Sequence, residues 1–158
     1  ITLGSTEPDP REDLCGNDVG RKLLILAREL DLENEFDEIE IQNLIPESLR
    51  TSSSEAFLSN LEALNQDFKE NKEALEDKFV LRYIGELSGD LQQSKANLEA
   101  KLVAVPQNSA LGQLSGSDGI FEIYTESYGE NPIIIQGAGA GAAVTARGVF
   151  EDILRLAK

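Results

Sequence analysis

Val19, Leu23, Leu26, Ala27 and Leu30 recur at spacings of three and four, which lines them along one face of a helix. Asn17 or Asp18 stands where a short polar side chain caps such a helix, predicting a helix over about 18–30. Ahead of it, residues 1–14 are polar and carry Pro8 and Pro10. Proline fixes its own φ and restrains the residue before it, so this reads as a stiff, extended loop. Ile39 and Ile41 alternate with Glu40 and Gln42, a short strand pattern. Beyond Pro46 and a serine run, Phe57, Leu58, Leu61, Leu64 and Phe68 return to helical spacing. They predict a helix over about 54–66 and a second piece to about 76.

From Phe79 the residues become β-branched and aromatic, the composition of a strand. Ser88-Gly89-Asp90 reads as a turn. The next segment, LQQSKANLEAKLVAV, has helix-favouring residues, but Leu98, Ala100, Leu102 and Ala104 alternate with polar neighbours. We read it as a strand paired with 79–87 and ended by Pro106. Residues 107–118 are turn-rich. Alternation resumes with Phe121, Ile123 and Tyr124 as expected anchors, and Ile133 to Ile135 reads as a short buried strand. A Gly/Ala run at 137–143 leads into a last helix with Val149, Ile153 and Leu156 on one side. Strands joined by hairpin-length links, flanked by helices, predict an α+β fold: a mixed, largely antiparallel sheet with helices packed on one face.

Composition narrows what the chain does. Its 158 residues suggest a single domain with room for a real core. The formal net charge of −15 argues against nucleic acid and against an anionic membrane surface. One cysteine forms no internal disulfide, and the absence of histidine removes any His triad or His metal site. No apolar stretch is long enough to span a bilayer, and the start resembles no signal peptide, so the expected location is cytoplasmic. There is no initiator methionine, which leaves both ends as candidate cuts in a longer polypeptide.

Three places could carry chemistry. Glu7, Asp9, Glu12 and Asp13 make the first loop acidic, and Asp18 and Lys22 lie four apart on the predicted helix, sharing a face. The apolar stripe beside them puts Lys22 at the edge of the core, near several carboxylates. A poised lysine there can donate a proton to a developing alkoxide. The plain alternative is a solvated ion pair worth ~0.2–1 kcal/mol. The acidic spacing matches no cation loop, so no metal site is expected. Second, Gly137-x-Gly139-x-x-Ala142 between a strand and a helix has the form of a dinucleotide fingerprint. The chain ends too soon for a second parallel strand, so close glycine packing competes with cofactor contact. Third, Cys15 has no base to activate it and reads as a small packing residue.

The run Thr6-Glu7-Pro8-Asp9-Pro10-Arg11-x-Asp13-Leu14-x-Gly16-x-Asp18-Val19-x-Arg21-Lys22 resembles the signature of homoserine dehydrogenase. The closing run GAGAGAAVTARGVFEDIL resembles the C-terminal segment of the same family. The resemblance implies NADP- or NAD-dependent reduction of L-aspartate 4-semialdehyde to L-homoserine, in threonine and methionine biosynthesis. It implies that Gly4, Glu7, Asp13 and Asp18 surround the amino acid, that Lys22 donates the proton, and that Gly141 lies against the nicotinamide. The tips of Glu7, Asp18 and Lys22 would then share one cleft. Gly20 stands where the family has alanine, at a cost of about 1 kcal/mol to the helix.

The family's main dinucleotide-binding half, with its own glycine motif, is missing from this sequence. Residues 1–136 therefore resemble the substrate-binding and catalytic domain. Residues 137–158 resemble a glycine loop and helix that return to a cofactor domain outside this chain. Little cofactor binding and little turnover are expected of the chain alone. The end of the chain and its LLILARE helix resemble the bifunctional aspartokinase/homoserine dehydrogenases. The resemblance also implies a homodimer through the sheet, with 79–135 as the candidate surface. The alternatives are a non-catalytic dimerising module or an amino-acid sensor that has lost turnover.

Overall fold

A computed structural model describes residues 9–157, with Asp67 described by its backbone alone. The described residues fall into two compact units, one up to Gln107 and one from Asn108, where length alone suggests a single body. The first unit opens with a short helix α1 (Arg11–Leu14), and α2 (Asn17–Glu29) follows after a sharp corner. A 3-10 turn at Phe36–Glu38 leads into β1 (Glu40–Ile41). Next come α3 (Glu47–Arg50), α4 (Ser54–Ser59) and α5 (Glu62–Glu73). Two long strands, β2 (Phe79–Ser88) and β3 (Asn97–Pro106), finish the unit.

The sheet order is β1-β3-β2. β2 and β3 pair antiparallel along their whole length, from Phe79 opposite Pro106 to Ser88 opposite Asn97. β1 joins β3 in parallel, with Ile41 opposite Ala100. Alternation decided correctly over helix-favouring composition for β3, because paired strands need one apolar face and not a high propensity. α2 packs on that face. Leu23, Ala27, Leu32, Ile39, Leu98 and Ala100 form its buried core, with Val19, Phe36, Ile41, Tyr83 and Leu87 around them.

The buried stripe of α2 is rotated from the expected one. Gly20, Leu23 and Ala27 are buried, whereas Leu26 and Leu30 are exposed at 37% and 47%. Gly20 lets helix and sheet approach: a Cβ there would lie 2.6 Å from Ile41 Cδ1. Neither Asn17 nor Asp18 caps the helix. Its N-cap is Gly16, which has no side chain to accept from the free N–H groups.

The helical stretch from 54 breaks at Asn60–Leu61 into two helices, α4 being capped by Ser53 Oγ accepting from Ala56 N at 3.1 Å. Phe57, fully buried, joins Ile45 and Leu64 in a second core against Leu14 and Cys15. A buried phenylalanine contributes about 1.5–3 kcal/mol. Cys15 is thus a packing residue, as expected.

The second unit holds α6 (Ala110–Gln113), β4 (Asp118–Ile123), β5 (Ile133–Ala138) and α7 (Ala142–Leu156). β4 and β5 pair antiparallel as a separate two-stranded sheet. The α+β class holds, divided over two sheets. Phe121, Tyr124 and Ile135, expected as anchors or buried, are 54%, 61% and 56% exposed. Alternation places such residues in a strand, but a two-stranded ribbon supplies a cross-strand neighbour without a covering layer. Val149, Ile153 and Leu156 of α7 are likewise exposed.

Candidate active site

Lys22 and Asp18 meet as their spacing requires. Lys22 Nζ lies 2.7 Å from Asp18 Oδ2, one helical turn apart on α2. The pair is open to water, the two side chains being 70% and 62% exposed. Lys22 is therefore not at the edge of the core. The rotated stripe explains this: with Gly20, Leu23 and Ala27 turned inward, positions 18 and 22 face outward. Asp13 sits on α1, also exposed, one corner away from Asp18. Gly4 and Glu7 lie outside the described residues, and so does any cleft they share with Lys22.

The tail of the acidic loop is tied down by Arg11. Its backbone N–H and its Nε donate to Asp9 Oδ1 at 3.0 and 2.9 Å. Its Nη2 also donates to Asp9, and its Nη1 to the Ser52 carbonyl. These Arg11 hydrogen bonds, side chain first and backbone second, hold the Asp9 carboxyl well below the usual carboxylate range. A cavity of about 240 Å³ lies beside this clamp, lined by Asp9, Arg11, Glu12, Cys15, Asn43 and Arg50 among others. Neither Lys22 nor Asp18 lines it. Among the described residues no group of three or more Cys, Asp or Glu side chains converges to hold a metal.

In the second unit the strand–glycine–helix order is as expected. The glycines differ in what they do. Gly139 packs closely, since a Cβ there would lie 3.3 Å from the Gly119 nitrogen. Gly141, the N-cap of α7, has φ +122°, and among the described residues nothing beyond its own chain neighbours lies within 4 Å of the place a Cβ would take. Close packing therefore accounts for Gly139 and not for Gly141, which leaves open backbone at a helix start.

The family model for homoserine dehydrogenase matches residues 1–154, nearly the whole chain. This chain belongs to the homoserine dehydrogenase family. Homoserine dehydrogenases are oxidoreductases. A bifunctional aspartokinase/homoserine dehydrogenase of Daucus carota is 47% identical over 156 residues, covering 98% of this chain and 16% of that protein. A homoserine dehydrogenase of Paracoccidioides brasiliensis is 43% identical over 166 residues, covering 98% of this chain and 41% of its own length. The chain thus spans well under half of these relatives. Among solved structures, a Candida auris protein described as of unknown function matches with a TM-score of 0.77 and 36% identity. That match covers 96% of this chain and 42% of the other. A Staphylococcus aureus homoserine dehydrogenase shares the fold, with a TM-score of 0.66 at 18% identity over 99% of this chain and 34% of its own. Among the described residues no helix is long and apolar enough to cross a membrane.

Sequence reasoning assigned no part to Arg11 beyond its place in the motif, and none to Tyr83. Arg11 carried a signal, being two residues from Asp9. Tyr83 carried none, because its hydrogen-bond partner, the Gln42 carbonyl, is 41 residues away.

Proposed function

We propose that this chain forms the substrate-binding and catalytic part of a homoserine dehydrogenase that reduces L-aspartate 4-semialdehyde to L-homoserine. The observation that carries the reading is the Lys22–Asp18 pair at the start of α2, beside the Asp13-bearing helix α1. In this reading Glu7, Asp13 and Asp18 hold the ammonium of the amino acid, with Gly4 near it. The incoming ammonium competes with Lys22 for the Asp18 carboxylate and releases Lys22 Nζ toward the aldehyde oxygen. Lys22 then gives up a proton there as negative charge develops, a role worth ~10²–10⁴-fold when well placed.

A nicotinamide cofactor, NADPH or NADH, supplies the hydride when bound. The open backbone at Gly141 suits its approach to the start of α7, where the glycine N-cap has no side chain to offer the N–H groups. Residues 1–136 carry the substrate side, and 137–158 return to a cofactor domain beyond this chain. The working enzyme is a homodimer through the 79–135 strands, supported by the exposed apolar side chains of β4 and β5. We place it in the cytoplasm and in amino-acid biosynthesis.

The test is steady-state kinetics on the complete gene product. Asp18→Asn and Glu7→Gln should raise KM for homoserine by ~10-fold or more, since each removes a charged partner of the ammonium. KM for the cofactor should stay within two-fold. Unchanged KM for homoserine in both variants would reject the pocket. Homoserine binding without any turnover in the wild type would favour the amino-acid sensor instead.

A further inference from the structure

The corner between α1 and α2 is held in an unusual way, and Tyr83 holds it. The N-cap of α2, Gly16, has no side chain to offer the helix and is buried with φ +81°. The space a Cβ on residue 16 would take is filled from the sheet. Such an atom would collide with the Tyr83 hydroxyl and lie 2.7 Å from Ile41 Cγ2. The hydroxyl donates to the Gln42 carbonyl at 2.7 Å, with the Ala100 carbonyl 3.3 Å away. Gln42 is itself pinned to β3. Its N–H donates to Ala100 O at 2.8 Å, and its Oε1 accepts from Leu102 N at 2.8 Å. The hydroxyl is therefore fixed by the sheet, and the corner rests on it. Burial first, and then the neighbouring Cys15 thiol, push the Tyr83 hydroxyl above its ordinary pKa, so it remains a donor.

The corner governs three groups at once. Asp13 lies three residues before Gly16, Asp18 two after and Lys22 six after. A shift of the corner moves all of them together. We propose that Tyr83 is a positioning residue for the catalytic pair, registering Asp18 and Lys22 against the sheet through Gly16. This inference rests on the dehydrogenase reading above. It adds a residue that touches neither substrate nor cofactor.

Misplacement by about 1 Å costs on the order of 10²-fold in a well-ordered site, and removing one hydroxyl shifts the corner by less. In the complete gene product Tyr83→Phe should therefore lower kcat/KM for homoserine by ~10-fold, with KM for the cofactor unchanged. In a Lys22→Ala background the same substitution should lower kcat by less than ~2-fold, because the lysine it registers is gone, while KM for homoserine still rises through Asp18. Hydrogen exchange at the amides of residues 17–20 should quicken in Tyr83→Phe. A kcat/KM within two-fold of wild type, or a full ~10-fold further loss of kcat in the Lys22→Ala background, overturns the proposal. If Tyr83→Phe does not fold, Gln42→Ala decides. It removes the side-chain tie to Leu102 that steadies the carbonyl accepting from the hydroxyl, and should cost ~3-fold in kcat/KM with quicker exchange at 17–20; no change in either overturns the proposal. If Lys22→Ala leaves turnover intact, the dehydrogenase reading of Lys22 has failed. Exchange at 17–20 in Tyr83→Phe then tests the seating of the corner by itself: quicker exchange upholds it, and unchanged exchange overturns it.

Discussion

Asp31, with φ 59°, is the non-glycine residue of positive φ among those described. It follows Leu30, the C-cap of α2, at the place where Leu32 N–H reaches back to Ala27 O at 2.9 Å and Asp31 N–H to Arg28 O at 3.1 Å. This pair of bonds closes a helix with a left-handed residue, a position glycine fills best. An acidic side chain there also faces the negative end of the helix dipole. Asp31→Gly should therefore stabilise the chain by about 1 kcal/mol. The check is an upward shift of ~2–4 °C in the thermal midpoint. Asp9 gives the acid-side counterpart. Its folded pKa is depressed by Arg11, so the stability it contributes is complete above the unfolded value near ~3.9. That contribution is lost as pH falls below it toward the depressed folded value. Asp9→Asn should remove this part of the acid limb, leaving a flatter curve of urea midpoint against pH below about 4. At this scale much was legible. The Lys22–Asp18 pair followed from spacing alone, whereas Asp31 and Tyr83 did not, since backbone handedness and distant partners leave no mark in a local pattern.

At the scale of elements, every segment read from the pattern as a helix or strand has a counterpart in the described structure, though boundaries moved. The break between the two helical pieces, expected near residue 66, falls at Asn60–Leu61 before the polar α5 begins. The greater error was rotational. Leu26 and Leu30 completed an apolar stripe on paper, yet Gly20 turned the helix, because a face without Cβ lets the sheet come closer than a face of leucines. Gly20 is thus more than a weak helix former. A methyl there would press on Ile41 Cδ1 and lie 3.2 Å from the Phe36 ring. Gly20→Ala should destabilise by about 1 kcal/mol, overpacking outweighing a helix propensity gain of about 1 kcal/mol. In an Ile41→Val background, where Cδ1 is gone, the same change should stabilise by about 0.5 kcal/mol. Urea midpoints of the four proteins in that cycle check the reversal of sign.

At the scale of the whole molecule, the two units differ in how complete they are. The first buries two apolar clusters of its own, while the strands and last helix of the second expose most of theirs. Alternation located β4 and β5 to within a few residues, but whether a strand is covered depends on neighbours that its own pattern does not encode. The same holds for the site. Sequence placed Asp18 and Lys22 on one helix and Asp13 on the extended loop before it, where the structure has the short helix α1, and it set the lysine at the edge of the core, where the structure has it facing water. The family signature supplied what spacing could not: a reaction for that pair to perform. The most direct measurement of whether Lys22 performs it is aldehyde-dependent oxidation of NADPH by the complete gene product, wild type against Lys22→Ala. In the variant kcat should fall by ~10²–10⁴-fold with the fold intact by circular dichroism. A kcat within two-fold of wild type would contradict the proton-donor role.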